Sequence, residues 1–160
     1  MTQQKNKGIE IERKFLVTGT AWKALGTSTV FRQGYLNDEK ERTVRVRVAG
    51  DKGFLTIKGK NTGAVRTEFE YEIPVEDALK MLETMALRPL IEKTRTVIVC
   101  GGHIWEVDEF MGDNAGLVVA EIELTDENEV FDKPDWIGDE VTGDTRYYNS
   151  NLVIHPFSKW

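Results

Sequence analysis

Charged residues recur at every second position along several segments of the chain, and within each segment they carry mainly one sign. A period of two is typical of β-strands, because successive side chains point to opposite faces of a sheet. The mainly acidic segments are 8–17, 66–73, 103–110 and 117–124, and the basic ones are 43–48, 53–60 and 92–99. A further strand is predicted at 30–36. Together these segments predict a mainly β (α+β) protein with an antiparallel sheet of about eight strands.

Short turns and few helices separate the predicted strands. Three glycine-containing segments have the composition of β-hairpin turns: 49–53, 60–63 and 100–102. A helix is predicted at 75–86, where apolar residues recur at helical spacing after Pro74 and acidic residues favour the first turn. Two shorter helices are predicted at 21–25 and 126–131. A chain of 160 residues is typical of one domain, here residues 1–160.

One long helix is too small to cover the apolar faces of so many strands. Closing the sheet into a barrel removes this difficulty, since about eight strands is a natural number for closure. If the charged faces point inward, the interior cannot be dry, because isolated buried ions cost too much free energy. The sequence therefore predicts a water-filled tunnel with acidic and basic groups. Any single charged pair, taken alone, also fits a solvated outer strand face with weak ion pairs.

Basic residues gathered from several strands are suited to bind a polyanion, most simply a chain of phosphates. A neighbouring group of carboxylates repels such a chain unless a hard divalent cation bridges the two. Ligands that offer only oxygen atoms favour Mg²⁺ or Mn²⁺ over Zn²⁺. This combination suits phosphoryl transfer, in which catalysis is mostly positioning and charge neutralisation.

The segment EIERKFLV at residues 10–17 resembles the E-x-E-x-K signature that opens the CYTH domain, a family also called triphosphate tunnel metalloenzymes. Glu10, Glu12 and Lys14 match that signature position for position. The other charged residues follow in the family's order: Arg45, Arg47, Lys58, Arg66, Glu68, Glu70, Lys93, Arg95, Asp108, Glu121 and Glu123. The chain is similar to short bacterial members over nearly its whole length. The resemblance implies an eight-stranded antiparallel barrel that forms a tunnel and acts on triphosphates with a divalent metal.

The resemblance also implies a role for each charged residue. The metal-binding carboxylates are expected to be Glu10, Glu12, Asp108, Glu121 and Glu123. The residues expected to bind phosphate are Lys14, Arg45, Arg47, Lys58, Arg66, Lys93 and Arg95. The mechanism that we expect on this basis has Lys93 or Lys14 stabilise charge on the transferred group. A second metal, or a carboxylate such as Glu68 or Glu70, is expected to orient a water molecule. The expected cofactor is Mg²⁺ or Mn²⁺, and the expected substrate is a small-molecule triphosphate.

Several functions stay open at this point. The first is a metal-dependent hydrolase of inorganic triphosphate, favoured because the chain is short and no nucleobase pocket is recognisable. Within the same family, the alternatives are a class IV-type adenylate cyclase and a hydrolase of thiamine or nucleoside triphosphate. A non-catalytic polyphosphate-binding module is a further alternative, although anion binding alone does not need the carboxylates. Segment 138–152 either caps or gates a tunnel mouth, and Tyr35 is expected to pack rather than to contact substrate.

Composition narrows the possible partners. The net charge of −6, from 21 basic and 27 acidic residues, argues against a nucleic-acid partner. One cysteine excludes a disulfide within the chain, and two histidines argue against a zinc site. No apolar run is long enough to span a membrane, and the polar N-terminal residues do not resemble a signal peptide. A cytoplasmic protein without a membrane partner is therefore expected, and a homodimer is left open.

Overall fold

Nine antiparallel strands form one sheet in the computed structural model, which describes residues 8–160. The strands are β1 (Ile9–Val17), β2 (Thr27–Tyr35), β3 (Thr43–Ala49), β4 (Lys52–Lys58), β5 (Val65–Ile73), β6 (Ile91–Cys100), β7 (His103–Phe110), β8 (Val118–Glu123) and β9 (Ile137–Glu140). Their order is β5-β4-β3-β2-β6-β7-β8-β1, and a further pairing of β1 with β5 closes the barrel. The short β9 pairs with the C-terminal end of β1, at Phe15 and Val17. The predicted closed barrel of eight antiparallel strands is confirmed.

Two α-helices accompany the barrel within the described residues. They are α1 (Val75–Thr84) and α2 (Asn149–Ile154). Four 3₁₀ segments lie at Ala21–Ala24, Gly112–Asn114, Thr145–Tyr147 and Phe157–Lys159. No helix in residues 8–160 combines the length and the hydropathy that crossing a bilayer requires.

The predicted local structure is correct in most places and wrong in one. The helix predicted at 75–86 is α1, which ends two residues earlier, and the one predicted at 21–25 is a 3₁₀ turn. The helix predicted at 126–131 is wrong, since these residues form turns. The Asp126 side-chain carboxylate accepts a hydrogen bond from the backbone N–H of Asn128 at 2.8 Å. The backbone carbonyl of Asp126 accepts a hydrogen bond from the backbone N–H of Glu129 at 3.1 Å. Such local bonds compete with a helical ladder. β9 and α2 were not predicted.

On the outer face of the barrel, α1 covers β3, and the two elements form an apolar core between them. Ala78 and Leu82 of α1 are buried against Val46 and Val48 of β3. The helix lies so close that a Cβ atom at Gly53 would come within 2.8 Å of the Ala78 Cβ atom. Burying a leucine side chain of this kind stabilises a fold by about 1.5–3 kcal/mol. The outer face is therefore dry where α1 covers it.

A second outer core surrounds Trp105 of β7, which is fully buried. Its ring meets those of Phe15, Phe131 and Trp136 edge-on at centroid distances of 5.6, 5.8 and 5.8 Å. Phe131 and Trp136 lie in the segment between β8 and β9, which therefore covers the outside of β1 and β7. Apolar packing outside the barrel leaves its interior free for polar groups.

A third apolar cluster, here called the interior plug, closes one end of the barrel from within. Its buried members are Ile91, Phe110, Leu117, Val119, Tyr147 and Leu152. Because strand residues alternate between faces, Ile91 shares the inner face of β6 with Lys93, and Val119 shares that of β8 with Glu121. Leu152 of α2 is fully buried in this cluster. The C-terminal segment thus seals one end of the barrel with apolar contacts and leaves the remaining interior to charged groups.

Candidate functional site

The barrel encloses a cavity of about 310 Å³ whose lining is mostly charged. Its ionisable residues are Glu10, Glu12, Lys14, Arg45, Arg47, Lys58, Arg66, Glu68, Glu70, Lys93, Arg95, Glu106, Glu121 and Glu123, with the phenols of Tyr35 and Tyr148. Apart from Asp108, every charged residue that the sequence placed in the site lines this cavity. Their roles stay predictions, but the structure brings them together around one space.

Strand register explains how distant parts of the chain meet here. Lys58 lies opposite Glu68 in the β4–β5 pair, and Arg66 lies opposite Glu10 in the β5–β1 pair. In the β1–β8 pair, Glu12 lies opposite Glu123. Because residues two apart share a face, each E-x-E or R-x-R pair sends both side chains inward. Closure of the barrel then places these pairs across a single cavity.

One part of the cavity concentrates positive charge. Arg45, Arg47, Lys93 and Arg95 lie on β3 and β6, and Arg45, Arg47 and Lys93 are each less than 9% exposed. Burial, together with the charges of Arg45 and Arg95, lowers the pKa of Arg47 to about 9. The ring of Phe31 lies 4.7 Å from the Arg47 guanidinium carbon and 4.9 Å from that of Arg95. We call these four residues the basic group, and their mutual repulsion favours a bound anion.

Arg45 carries the clearest sign of an anion site. Its Nη2 donates a hydrogen bond to Thr56 Oγ1 at 3.2 Å, and the same atom lies 3.6 Å from Glu70 Oε2. Its Nε atom is buried and has no hydrogen-bond partner in the part of the chain that the structure describes. A buried donor without a partner costs about 1–3 kcal/mol, and a phosphate oxygen in the cavity would satisfy it.

Asp108 holds two residues of the basic group in place. Its Oδ2 accepts a hydrogen bond from Lys93 Nζ at 2.7 Å, and both its oxygens accept bonds from Arg95, at 2.7 and 2.8 Å. Burial raises the pKa of Asp108, but Arg95 and Lys93 outweigh this effect and leave the pKa below its usual value. Asp108 is 1% exposed and does not line the cavity. Its observed contacts are those of an anchor, and its predicted role as a metal ligand stays a prediction.

Lys93 is a buried ammonium group that faces the cavity. Burial, together with the charges of Arg95 and Arg47, lowers its pKa to about 7 against the opposing effect of Asp108. Arg95 differs, because Asp108 and Glu106 raise its pKa far enough to overcome the effect of burial. Arg95 Nη1 also forms an ion pair with Glu106.

Another part of the cavity concentrates negative charge. We call Glu10, Glu12, Glu121 and Glu123 the carboxylate group. Burial raises the pKa of Glu10 to about 7, although Lys58 opposes it. Burial raises the pKa of Glu12 well above its usual value, and the charges of Glu121 and Glu10 add to this effect. Glu121 behaves in the opposite way, because Lys14 and Arg95 outweigh burial and hold its pKa well below its usual value.

The carboxylate group fits a hard cation by its chemistry. Glu12 and Glu123 lie directly opposite each other on adjacent strands, where two like charges destabilise the pair. Burial and the charges of Glu121 and Glu10 raise the pKa of Glu12, and a divalent cation would offset the repulsion by these charges. Oxygen-only donors suit Mg²⁺ or Mn²⁺. Across residues 8–160, however, no three His, Cys, Asp or Glu side chains are already arranged around one metal position.

Acidic and basic side chains are only partly separated within the cavity. Lys58 Nζ lies 3.2 Å from Glu10 Oε2 and 3.1 Å from Glu68 Oε2. Lys14 Nζ lies 3.4 Å from Glu121 Oε1. These two lysines sit among the acids, whereas the basic group stays together. Both lysines keep a raised pKa because neighbouring carboxylates outweigh the effect of burial.

Several residues that line the cavity were not predicted to be functional. Tyr35, expected to pack, lines it, as does Glu106, whose position two residues before Asp108 is a signal that the sequence did contain. From the C-terminal segment, Tyr148 and Asn149 also line it. Tyr148 OH accepts a hydrogen bond from Asn61 Nδ2 at 2.5 Å. The sequence predicted that segment 138–152 caps or gates a tunnel mouth, but no period-two pattern marks it, so only the fold shows which of its side chains line the cavity.

The chain is similar to known proteins over nearly its whole length. The family model described as the CYTH domain matches residues 8–151. A protein of Acetivibrio thermocellus named inorganic triphosphatase is 57% identical over 153 residues, covering 96% of this chain and 98% of that protein. One of Nitrosomonas europaea with the same name is 36% identical over 149 residues, covering 91% and 97%.

Solved structures agree with the sequence comparisons. The crystal structure of an inorganic triphosphatase superposes with a TM-score of 0.62 at 33% identity, covering 91% of this chain and 94% of that one. A protein from Pyrococcus horikoshii superposes with a TM-score of 0.60 at 19% identity, covering 74% and 80%. At that lower identity the likeness supports the fold alone.

Proposed function

The chain belongs to the CYTH domain family, and on that premise we propose that it is a divalent-metal-dependent hydrolase of inorganic triphosphate. The observation that carries this proposal is the cavity, in which a basic group and a carboxylate group lie within one closed barrel. The inorganic triphosphatase of Acetivibrio thermocellus, which aligns over 96% of the chain, supports the choice of substrate. A tripolyphosphate chain supplies the dense negative charge that the basic group lacks.

The basic group is proposed to bind the phosphates. Arg45 offers a buried donor without a partner, and Arg47 and Arg95 offer planar guanidinium groups suited to phosphate oxygens. Lys14, Lys58 and Arg66 line the same cavity. Arg66 is fixed by a hydrogen bond from its Nε to the Gly59 carbonyl at 2.7 Å. Phosphate binding thus draws on side chains that the barrel already holds in place.

The carboxylate group is proposed to hold Mg²⁺ or Mn²⁺. The cation, when bound, neutralises charge on the phosphate chain and lets carboxylates and phosphates share one cavity. Asp108 is one of the predicted metal ligands. Its contacts with Lys93 and Arg95 support a role in holding these two side chains in position. Glu68 or Glu70 is proposed to orient the attacking water, and Lys93 or Lys14 to stabilise charge on the transferred phosphoryl group.

A phosphate-release assay tests the proposal. The protein is incubated with tripolyphosphate, ATP and thiamine triphosphate, each with and without Mg²⁺ or Mn²⁺. Metal-dependent release from tripolyphosphate, faster than from the other two substrates, is the expected result. Release only from ATP or thiamine triphosphate would assign another substrate, formation of cyclic AMP would assign a cyclase, and binding without release would assign a polyphosphate-binding module.

Other sequence-based predictions accompany this proposal. They are a single domain over residues 1–160, a cytoplasmic location, the absence of nucleic-acid and membrane partners, and a homodimer as one open oligomeric state. The acidic balance of the chain supports the prediction on nucleic acids, because a polyanion is repelled by a net charge of −6. Sedimentation analysis of the purified protein tests the oligomeric state.

A further inference from the structure

A chain of hydrogen bonds joins the C-terminal helix to two residues of the basic group. Asn149, the first residue of α2, accepts a hydrogen bond at its Oδ1 from Lys93 Nζ at 3.0 Å. The same oxygen accepts a second bond from Gln33 Nε2 at 3.0 Å. Gln33 Oε1 in turn accepts a bond from Arg47 Nε at 2.8 Å. Gln33 is fully buried, and neither Gln33 nor Asn149 belongs to the charged residues that the proposed function uses.

The two cations at its ends fix the orientation of this chain. An ammonium group and a guanidinium group can only donate hydrogen bonds, so each needs an oxygen atom in front of it. Asn149 must therefore present Oδ1 to Lys93, and Gln33 must present Oε1 to Arg47. The Gln33 amide then has its Nε2 free to donate to Asn149. Every bond in the chain is consistent with the others, and neither amide can be flipped without placing two donors face to face.

We propose that Asn149 and Gln33 are positioning residues, which hold the Lys93 ammonium group and the Arg47 guanidinium group toward the bound triphosphate. This inference rests on the proposed function, since it assigns both cations to substrate. It makes α2 a part of the binding apparatus rather than only a seal at the end of the barrel.

The chemistry of the two amides suits this task better than that of carboxylates. Lys93 and Arg47 lie in a cluster of like charges, and long basic side chains lose much rotamer freedom when they are held in one place. A neutral amide oxygen orients each cation without cancelling its charge. A carboxylate at the same position would also accept the bonds, but it would repel the phosphate chain. The two amides thus add no negative charge to that which Asp108 already places beside Lys93.

Three variants separate the two positions. Asn149→Ala removes the acceptor for Lys93, and we expect kcat for tripolyphosphate to fall about tenfold. Asn149→Asp keeps an acceptor oxygen, and we expect it to keep kcat within about threefold of the wild type while KM rises. Gln33→Met keeps the size of the side chain but leaves Arg47 without its acceptor. For that variant we expect KM, and the Kd for tripolyphosphate measured by calorimetry without metal, to rise about tenfold.

Asn151→Ala is the matched control on the same helix. Asn151 Nδ2 donates to the Thr145 carbonyl at 2.6 Å, so its removal loosens α2 without touching the chain of bonds to Lys93. We expect both kinetic constants of this variant to stay within about twofold of the wild type. Equal changes in Asn149→Ala and Asn151→Ala would show that Asn149 acts only through the stability of the helix, which would overturn the inference.

Calorimetry distinguishes positioning from partial unfolding and from failure of the proposed function. Partial unfolding lowers the number of binding sites per chain and leaves Kd unchanged, and that result for Gln33→Met would overturn its assignment. If the wild type binds tripolyphosphate but releases no phosphate, the proposed function fails. Gln33→Met must still raise Kd about tenfold in that case, and an unchanged Kd would overturn the inference as well.

Discussion

Replacing Arg45 with methionine should weaken the binding of tripolyphosphate in the absence of metal. The Arg45 side chain is buried in the cavity wall, with one hydrogen bond to Thr56 and a buried Nε that has no partner in residues 8–160. Methionine keeps most of the apolar stem and removes the charge together with all five donors. The substitution therefore tests the charge of Arg45 with little change in packing.

The size of the effect follows from these contacts. A hydrogen bond to a charged group contributes about 1.5–3 kcal/mol, which corresponds to a change in Kd of about 10- to 150-fold. The unpartnered Nε adds to the cost of the ligand-free wild type, so a bound phosphate gains more here than at a solvated arginine. Loss of the contact with Glu70 at 3.6 Å leaves negative charge in the wall and moves binding in the same direction.

Calorimetric titration with tripolyphosphate in EDTA measures this change, and Arg32→Met is the matched control. Arg32 lies on the outer face of β2, where its Nε is 3.3 Å from Glu92 Oε1 and both side chains are about half exposed. The Arg32→Met substitution removes the same charge from the protein as Arg45→Met. It should change the Kd for tripolyphosphate less than about twofold, since exposed charges are screened. An equal loss of affinity in both variants would mean that net charge, and not the cavity, binds the anion.

Further predictions concern the metal, the carboxylates and the fold. EDTA should abolish phosphate release, and excess Mg²⁺ or Mn²⁺ should restore it; full release in EDTA would contradict the metal requirement. Glu12→Gln should lower turnover by at least about tenfold while metal-free binding of tripolyphosphate holds or tightens, because one repelling charge is gone; weaker metal-free binding by calorimetry would refute this. Leu152→Ala should lower the free energy of unfolding in urea by about 2–5 kcal/mol, and Ile154→Ala, which changes an exposed residue of the same helix, by no more than about 0.5 kcal/mol. Similar losses in both would mean that the interior plug does not hold the barrel end.

The barrel was predictable because its strands are marked by both period and charge. Glu10 and Glu12, Arg45 and Arg47, and the other spaced pairs fix which face of each strand turns inward. The Gly101–Gly102 turn, in which both glycines have positive φ of 59° and 77°, joins β6 to β7 and sets the register of that hairpin. The cavity and nearly all of its charged lining therefore follow from local patterns in the sequence.

The C-terminal part of the site could not be predicted in the same way. Tyr148 and Asn149 reach the cavity through a 3₁₀ turn followed by the six-residue helix α2, too short to show a hydrophobic period. Their position depends on Leu152 and Tyr147, which enter the interior plug from outside the sheet. Only long-range packing brings them to Lys93. The pairing of Asp108 with Lys93 and Arg95 was not predicted, because a sequence shows that two charges share a face but not that they pair with each other.

Different residues of this fold provide its stability and its charged cavity: apolar residues pack outside the barrel, and charged residues lie inside it. Trp105 and Leu82 stabilise the barrel from its outer face, where each packs in a cluster of apolar residues. The inner groups are strained electrostatically instead, since burial and like charges raise the pKa of Glu10 to about 7 and lower that of Arg47 to about 9. A divalent cation would relieve the repulsion around Glu10, and a phosphate chain would relieve the repulsion around Arg47. The two ligands of the proposed reaction therefore carry the charges that balance these two groups. Ion pairs such as Lys58–Glu10 and Lys93–Asp108 offset part of the free energy that burial costs these side chains, and bound ligands would offset more. The outer core supplies the stability that lets the ligand-free barrel tolerate the remainder.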